Sequence, residues 1–133
     1  MAGATATITW DEESAEILRA EISWLSDDTT GAVTYTFTEV DKARIRGKYL
    51  FFMVTNPGAT APSANYNITL IDDDGIDMAG GALLLRHTST SEQAIPVLSS
   101  NASGDRVANG GLAVTIAAAG NAKIGVVKLW FRK

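Results

Sequence analysis

The stretch "LAVTIAAAGNAKIGVVKLWFR", residues 112–132, indicates what kind of fold this chain adopts. Its first six residues alternate the large side chains of Leu112, Val114 and Ile116 with small or polar ones, and residues 124–132 continue the alternation. A period of two is typical of a β-strand with one buried face, because successive side chains point to opposite sides of the sheet. Between the two runs, Gly120-Asn121 predicts a hairpin tip. The stretch therefore predicts two strands joined by a tight turn.

The same periodicity recurs upstream. In residues 65–71, for example, Tyr66, Ile68 and Leu70 are predicted to point inward, while the residues between them are polar. The run 49–54 is apolar on both faces, which predicts a central strand covered on both sides. We predict strands over residues 5–10, 32–40, 49–54, 65–71, 112–117 and 124–132.

Residues 11–26 are ambiguous between a helix and a strand. They are rich in helix formers, and Asp11 with Ser14 is a possible helix start. However, Leu18, Ala20, Ile22 and Trp24 alternate with polar residues at a period of two. We therefore predict a strand over 16–25, preceded by a turn.

Clusters of Gly, Asn, Asp and Pro separate these runs, as tight reversals of the chain require. About eight strands separated by turns predict an all-β fold, an antiparallel β-sandwich of jelly-roll-like type with little or no helix. The 133 residues suit a single domain over 1–133, and no internal repeat or linker is visible.

Composition excludes several classes of function. The chain has no cysteine, which removes thiol nucleophiles, disulfides and cysteine-based zinc sites. No secretory signal is visible, and no apolar run approaches the ~18 residues of a membrane span, so we expect a soluble protein without a membrane partner.

The net charge is −4, and the basic residues gather only at Lys42, Arg44, Arg46 and Lys48. In a strand, this alternate spacing would place all four side chains on one face. Four charges without interleaved aromatic residues are few for a nucleic-acid groove. We therefore expect no nucleic-acid partner and interpret the set as a solvated strand face or a rim against an acidic neighbour.

The acidic segment "DDDGID", residues 72–77, is the most distinctive motif. A calcium loop of the EF-hand type needs a glycine at its sixth position and a carboxylate at its twelfth. Counted from Asp72, glycine is instead fourth and the twelfth residue is Leu83. Asp74-Gly75 is a strong signal for a tight reversal, which favours a turn. A less regular oxygen site built from Asp72, Asp74 and Asp77 stays open, but we predict no metal ligand and no cofactor.

Catalytic constellations are not visible in the sequence. His87 is the single histidine, so no histidine relay or zinc trio is available, and no GxSxG motif surrounds Ser89 or Ser91. Neighbouring aspartates in one turn point in different directions and do not form a facing carboxylate pair. We predict that the chain is not an enzyme and has no catalytic residue.

The three tryptophans, Trp10, Trp24 and Trp130, allow two interpretations. They are either a sugar-stacking face, as in a carbohydrate-binding β-sandwich, or residues of the core and of a subunit interface. The sequence leaves both open.

Two segments, residues 55–97 and 111–133, resemble small virion proteins of tailed bacteriophages. The shared features are a Pro-Gly/Ala-Pro loop, a strand that leads into an acidic turn, a "GGAL" stretch and a terminal hairpin with Gly-Asn. In this sequence they correspond to Asn56–Pro62, Tyr66–Asp77, Gly80–Leu84, Gly111–Val114 and Gly120–Leu129.

The resemblance implies a non-enzymatic structural subunit of the virion, assembled in the host cytoplasm. Its implied role is that of a capsid decoration or cement protein, which bridges capsomers at the capsid surface. The implied partners are the major capsid protein and further copies in a homodimer or homotrimer. A head–tail connector or tail adaptor is the alternative, and a carbohydrate-binding module is a further one.

We also predict where the chain would contact such partners. The loop residues Asn56, Pro57, Gly58 and Pro62, together with the acidic Asp72 and Asp74, are the predicted interaction residues. Prolines in a loop reduce the entropy lost on docking. Deleting 57–62 is accordingly expected to weaken particle binding without unfolding the domain.

Overall fold

Nine strands and one short helix make up the regular structure of residues 3–98 and 102–133, which are the residues that the computed structural model describes. The strands are β1 (Thr5–Glu12), β2 (Ile17–Leu25), β3 (Val33–Thr36), β4 (Tyr49–Pro57), β5 (Asn67–Asp72), β6 (Glu92–Ala94), β7 (Arg106–Val107), β8 (Leu112–Ala117) and β9 (Ile124–Arg132). The helix α1 (Glu39–Ile45) lies between β3 and β4. No helix among the described residues has the length and apolar character needed to cross a membrane.

The strands form two antiparallel sheets. The larger has the order β1-β2-β9-β4-β6, with β7 also paired to β4, and the smaller has the order β3-β8-β5. The chain passes repeatedly from one sheet to the other, for example from β2 to β3 and from β4 to β5, as in a jelly roll. The predicted all-β, jelly-roll-like sandwich is confirmed.

The core lies between the two sheets and is filled by alternate residues of each strand. In β2 these are Leu18, Ala20, Ile22 and Trp24, all at most 7% exposed, so the strand predicted over 16–25 is confirmed. Ser14 precedes this strand in a turn, where its Oγ accepts hydrogen bonds from the backbone of Glu16 and Ile17 rather than starting a helix. The buried residues of the other main strands also follow the predicted alternation: Ile68 and Leu70 in β5, Leu112, Val114 and Ile116 in β8, and Val127, Leu129 and Phe131 in β9.

The predicted terminal hairpin is wrong. Strand β8 pairs with β3 and β5, whereas β9 pairs with β2 and β4, so residues 118–123 carry the chain from one sheet to the other. Each strand has one apolar face, and placing them in opposing sheets lets those faces meet in the core. Gly120, at φ +86°, lies in this crossing and approaches the backbone of Gly31 closely.

The strand predicted over 32–40 is correct only for its first part. Strand β3 ends at Thr36, and Thr38 then begins α1 as its N-cap. A capping box joins Thr38 and Asp41, since each side chain accepts a hydrogen bond from the other residue's backbone N–H. This reciprocal pair ends the strand and starts the helix.

The helix also changes the interpretation of the basic residues. Lys42 and Arg44 lie in α1, Arg46 is its C-cap, and Lys48 lies beyond it, so the prediction of one basic strand face is wrong. Lys42 pairs with Glu39 at 3.1 Å, and the Lys48 ammonium donates to the Arg44 carbonyl at 2.6 Å.

Strand β4 occupies the predicted central position but is covered on one side only. Leu50 and Met53 are fully buried in the core. Phe52 and Val54 lie on the opposite face, opposite Trp130 and Lys128 of β9, and stay partly exposed. The prediction that both faces are covered is therefore wrong for the outer face.

We expect Gly125→Ala to destabilise the sandwich. A Cβ at Gly125 would lie 2.5 Å from Cζ2 of Trp24, whose ring is enclosed in the core, so the ring or the strand must shift. Overpacking of this kind costs roughly 1–3 kcal/mol. Urea unfolding should show that loss, whereas Gly3→Ala, which meets no atom within 4 Å, is the neutral control. Equal stabilities of the two variants would contradict this account of the packing.

Candidate functional site

The acidic segment 72–77 is a tight turn at the end of β5, as predicted. Oδ1 of Asp72 accepts hydrogen bonds from the backbone N–H groups of Asp74, at 2.9 Å, and Ile76, at 3.0 Å. Gly75 has φ +78°, a conformation that favours glycine. Ile71 and Asp77 then face each other in an antiparallel bridge. Asp72 thus holds the reversal together from within.

Asp77 binds the backbone on both sides of the turn. Its Oδ1 accepts from the N–H groups of Leu70, at 2.9 Å, and Ala79, at 3.0 Å, and its Oδ2 accepts from Gly81 at 3.0 Å. Among the described residues there is no group of three or more His, Cys, Asp or Glu side chains placed to hold a metal ion. The Asp77 carboxylate therefore serves as a hydrogen-bond acceptor for backbone N–H groups.

The remaining two aspartates tie the turn to the segment that precedes β8. Oδ2 of Asp73 accepts from the backbone N–H of Gly111 at 3.1 Å, and Oδ2 of Asp74 accepts from the Asn109 amide at 3.1 Å. A Cβ at Gly111 would lie 2.2 Å from Oδ1 of Asp73, so a side chain there would displace the Asp73 carboxylate. The acidic turn is therefore one half of a contact between distant parts of the sequence.

The predicted interaction loop is largely anchored. Asn56 and Pro57 are the last residues of β4, where they face Val126 and Gly125 of β9. Gly58 continues this pairing, since its N–H donates to the Ile124 carbonyl at 3.0 Å.

The tip of this loop is exposed, although the Thr60 carbonyl accepts a hydrogen bond from the Ile124 N–H of β9 at 3.0 Å. Pro62 is buried, and its carbonyl accepts a hydrogen bond from the Thr88 hydroxyl. The exposed residues between Gly58 and Pro62 are Ala59, Thr60 and Ala61. Deleting 57–62 would remove sheet pairing together with the loop, so it does not separate docking from folding.

The structure does not bring the two groups of predicted interaction residues together. Asn56, Pro57, Gly58 and Pro62 precede β5, whereas Asp72 is the last residue of β5 and Asp74 follows it. Six strand residues span about 17 Å. The two groups lie near opposite ends of the strand and form separate surfaces.

His87 caps a turn. Its Nδ1 accepts hydrogen bonds from the backbone N–H groups of Ser89, at 3.0 Å, and Thr90, at 2.9 Å. The nearby Glu92 accepts from the backbone N–H of His87 at 2.6 Å and not from its ring. A catalytic triad needs the carboxylate on one ring nitrogen and the nucleophile on the other, which is not the arrangement here.

The three tryptophans do not share a face. Trp24 is 3% exposed and packs against Tyr66 in the core, with ring centroids 5.8 Å apart. Trp10 also points inward and meets Phe37 edge-on. Trp130 lies on the outer face of the larger sheet, beside Phe52 at 5.4 Å.

Asp41 is a buried carboxylate that the sequence did not reveal as important. It accepts hydrogen bonds from Trp10 Nε1, at 3.0 Å, from the Tyr35 hydroxyl, at 2.6 Å, and from the Thr38 backbone, at 3.0 Å. Burial acts to raise the pKa of Asp41, but the bonds from Tyr35, Thr38 and Trp10 outweigh it and hold the pKa below its ordinary value. Burial and the Asp41 carboxylate together raise the pKa of Tyr35 to about 12.

The position of Asp41 indicates an architectural role. The carboxylate joins β1, β3 and the start of α1, and its bonds to three donors occupy both oxygens. The signal that points to it in the sequence is Thr38-x-x-Asp41, which has the spacing of a capping box.

We expect Asp41→Asn to destabilise the fold by roughly 1–3 kcal/mol at pH 7, because charge-assisted hydrogen bonds become neutral ones. The pKa of Asp41 is lower in the folded than in the unfolded chain, so the carboxylate stabilises fully above pH about 4. That stabilisation is lost as the pH falls further, through the folded pKa. Urea unfolding at pH 7 and at pH 3 should show that the gap between wild type and variant narrows. An equally large difference in unfolding free energy at pH 3 would contradict this role of the ionised Asp41 carboxylate.

We expect Asp77→Ala to cost roughly 2–4 kcal/mol, because three backbone N–H groups lose their acceptor. Asp74→Ala is the matched control in the same turn. It removes an exposed bond to one side chain and should cost less than about 0.5 kcal/mol. Thermal and urea unfolding measure both, and equal losses would refute the backbone role of Asp77.

No model of a known protein family matches this sequence, and no curated protein matches it. Among solved structures, the chain is similar to a cupin domain from Bordetella pertussis Tohama I, with a TM-score of 0.34 and 14% sequence identity. The alignment covers 100% of this chain and 99% of that one. A similarity of this size carries no inference about activity or ligands.

Proposed function

We propose that this chain is a structural subunit of a tailed-bacteriophage virion. In this proposal it is a decoration or cement protein that binds the major capsid protein at the head surface and bridges capsomers as a homo-oligomer. The observation that supports the proposal is that the two segments which resemble phage virion proteins, 55–97 and 111–133, fold against each other.

Hydrogen bonds join these segments near both ends of the sandwich. At one end, Gly58 donates to the Ile124 carbonyl at 3.0 Å, and Ser63 donates to the Ala119 carbonyl at 2.8 Å. At the other, Gly111 donates to Asp73 at 3.1 Å. The turns that carry the resemblance therefore contact one another. This fits a resemblance that lies in the arrangement of strands and turns rather than in catalytic or binding residues.

The polar side chains of these turns also serve the backbone. Asp72, Asp77 and His87 each accept two or more backbone hydrogen bonds. A cement protein acts through buried area and shape, and small contacts gain strength when one subunit binds several neighbours at once. Side chains used for rigidity rather than for reaction suit that task.

The surface offers apolar area for such contacts. Among the residues that the structure describes, seven large apolar side chains are at least 38% exposed: Val40, Tyr49, Ile76, Leu84, Leu85, Ile95 and Val107. Tyr49 and Val107 face each other in the β4–β7 pair. Exposed apolar residues beside one another are typical of protein-contact surfaces.

The aromatic residues do not favour the carbohydrate-binding alternative. A flat sugar platform needs coplanar exposed rings, but Phe52 and Trp130 are inclined by 58°. Trp10 and Trp24 point into the core. The connector or adaptor alternative places the same contacts elsewhere on the particle, and only location separates it from a head protein.

We expect a phage that encodes this chain to carry it in purified particles. Deleting the gene should give filled, tailed heads that release DNA at a lower temperature, and adding back purified protein should restore heat resistance. DNA release is followed by dye fluorescence during heating. Tail-less or leaking heads would identify a connector or adaptor instead, and absence of the chain from particles would refute the whole proposal.

The add-back assay also tests the tip of the loop. Ala61→Glu puts charge and bulk on the exposed tip, and Ala43→Glu is the matched control on an exposed position of α1. If the tip contacts the capsid, the first variant binds deleted particles about tenfold more weakly and the second binds normally. Normal binding of Ala61→Glu would exclude the tip from the contact.

A further inference from the structure

Strand β1 is the long free edge of the sandwich among the described residues. It is eight residues long and pairs with β2 alone. The other edges are short or covered: β3, β6 and β7 have four, three and two residues. The outer edge of β5 is bonded by the segment that follows the acidic turn, for example between Ile68 and the Leu83 carbonyl at 3.0 Å and between Met78 and the Leu70 carbonyl at 2.7 Å.

The backbone geometry shows which groups of β1 are free. In an antiparallel strand, the N–H and C=O of one residue point to the same side. The Glu16 carbonyl accepts from Lys133 and the Ser26 N–H donates to Lys123, so even-numbered residues of β2 face β9. Odd-numbered residues of β2 therefore face β1.

The register then places Thr5, Thr7, Thr9 and Asp11 with their backbone groups toward β2. The N–H and C=O groups of Ala6, Ile8 and Trp10 point to the open side. Outside the β1–β2 ladder, no backbone bond in the described residues reaches β1. An uncovered edge is a template for another strand, and natural edges are blunted by proline, lysine or bulges. Strand β1, "TATITWDE", has none of these in its regular register.

We propose that a second copy of this chain pairs with β1, antiparallel to it, about a two-fold axis at Ile8. This inference rests on the proposed function in that it names the contact within the homo-oligomer. Ile8 then faces the partner's Ile8. Three further pairings, each made twice by symmetry, place Thr7, Ala6 and Thr5 opposite the partner's Thr9, Trp10 and Asp11.

The side chains of β1 suit this register. Threonine pairs are favourable across strands, and the small Ala6 leaves room for the large Trp10. Asp11 lies opposite the partner's Thr5 and keeps its bond to Arg19 at 3.0 Å, so no two like charges face each other. In this register Glu12 extends past the partner's first strand residue, Thr5, whereas an axis at Thr9 would place Glu12 opposite the partner's Ala6, a carboxylate against the apolar side within the paired strands. The proposed register thus pairs small side chains with large ones and brings no two carboxylates face to face.

Two double variants test the register. Both change Thr7 and Thr9, whose side chains lie on the solvent-facing side of β1. T7K/T9K places lysine opposite lysine twice across the axis, whereas T7E/T9K places glutamate opposite lysine twice. In both variants, the new lysine at position 9 faces Glu21 of β2 within the same chain, so this contact is the same in both. We expect sedimentation velocity over a concentration series to show that the wild type dimerises. The dimer dissociation constant should be about tenfold higher in T7K/T9K and should return to the wild-type value in T7E/T9K.

Circular dichroism and thermal unfolding of each variant confirm that it is folded. A monomeric wild type at concentrations up to about 100 µM would overturn the inference, as would T7K/T9K that dimerises like wild type. Failure of T7E/T9K to recover would exclude this register. These measurements need no particles, so they test the β1 contact separately from the proposed function. A monomeric protein that still protects heads would refute the β1 contact and leave the proposed function intact. A dimer that is absent from virions would support the β1 contact and refute the proposed function.

Discussion

The constraint on which the rest of the structure depends is that each main strand has one apolar face. Leu112, Val114 and Ile116 of β8 are buried against residues of the larger sheet such as Val127 and Leu129. Burying an apolar side chain of this size stabilises the folded chain by roughly 1.5–3 kcal/mol. Since side chains alternate, this burial fixes both the register of each strand and the need for a second sheet. The repeated passage of the chain between sheets is the consequence.

Each passage between sheets interrupts the strand ladder, and the freed backbone groups need other partners. The same holds at turns within a sheet, and a side-chain acceptor serves several of these breaks: Ser14 between β1 and β2, Asp41 in the first turn of α1, and Asp72 and Asp77 at the turn that ends β5. The acidic residues that look like a metal loop or a catalytic pair are therefore explained by topology.

Strand positions were predictable because alternation is a local signal of burial. The strand over 16–25, for instance, follows from Leu18, Ala20, Ile22 and Trp24 despite the many helix formers around them. The pairing of strands was not predictable, because Gly120-Asn121 shows that the chain turns but not into which sheet it goes. Helix α1 was missed because the threonines of 32–40 continue the strand pattern past Thr36, while the capping spacing of Thr38 and Asp41 competes with it. The anchored state of Pro57 and Pro62 depends on β9 and Thr88, which are distant in sequence.

The fold also determines where assembly contacts are possible. In the smaller sheet, the acidic turn sends the chain back along β5 and satisfies that edge, since Met78 and Arg86 donate to carbonyls of Leu70 and Tyr66. In the larger sheet, β6 and β7 divide the far edge of β4 between them, so neither forms a long template. Within residues 3–98 and 102–133, no backbone segment covers the open side of strand β1. The backbone groups on an open edge are hydrated in the monomer and remain available to pair with another strand. A second copy that binds about a two-fold axis satisfies the open edges of both chains at once.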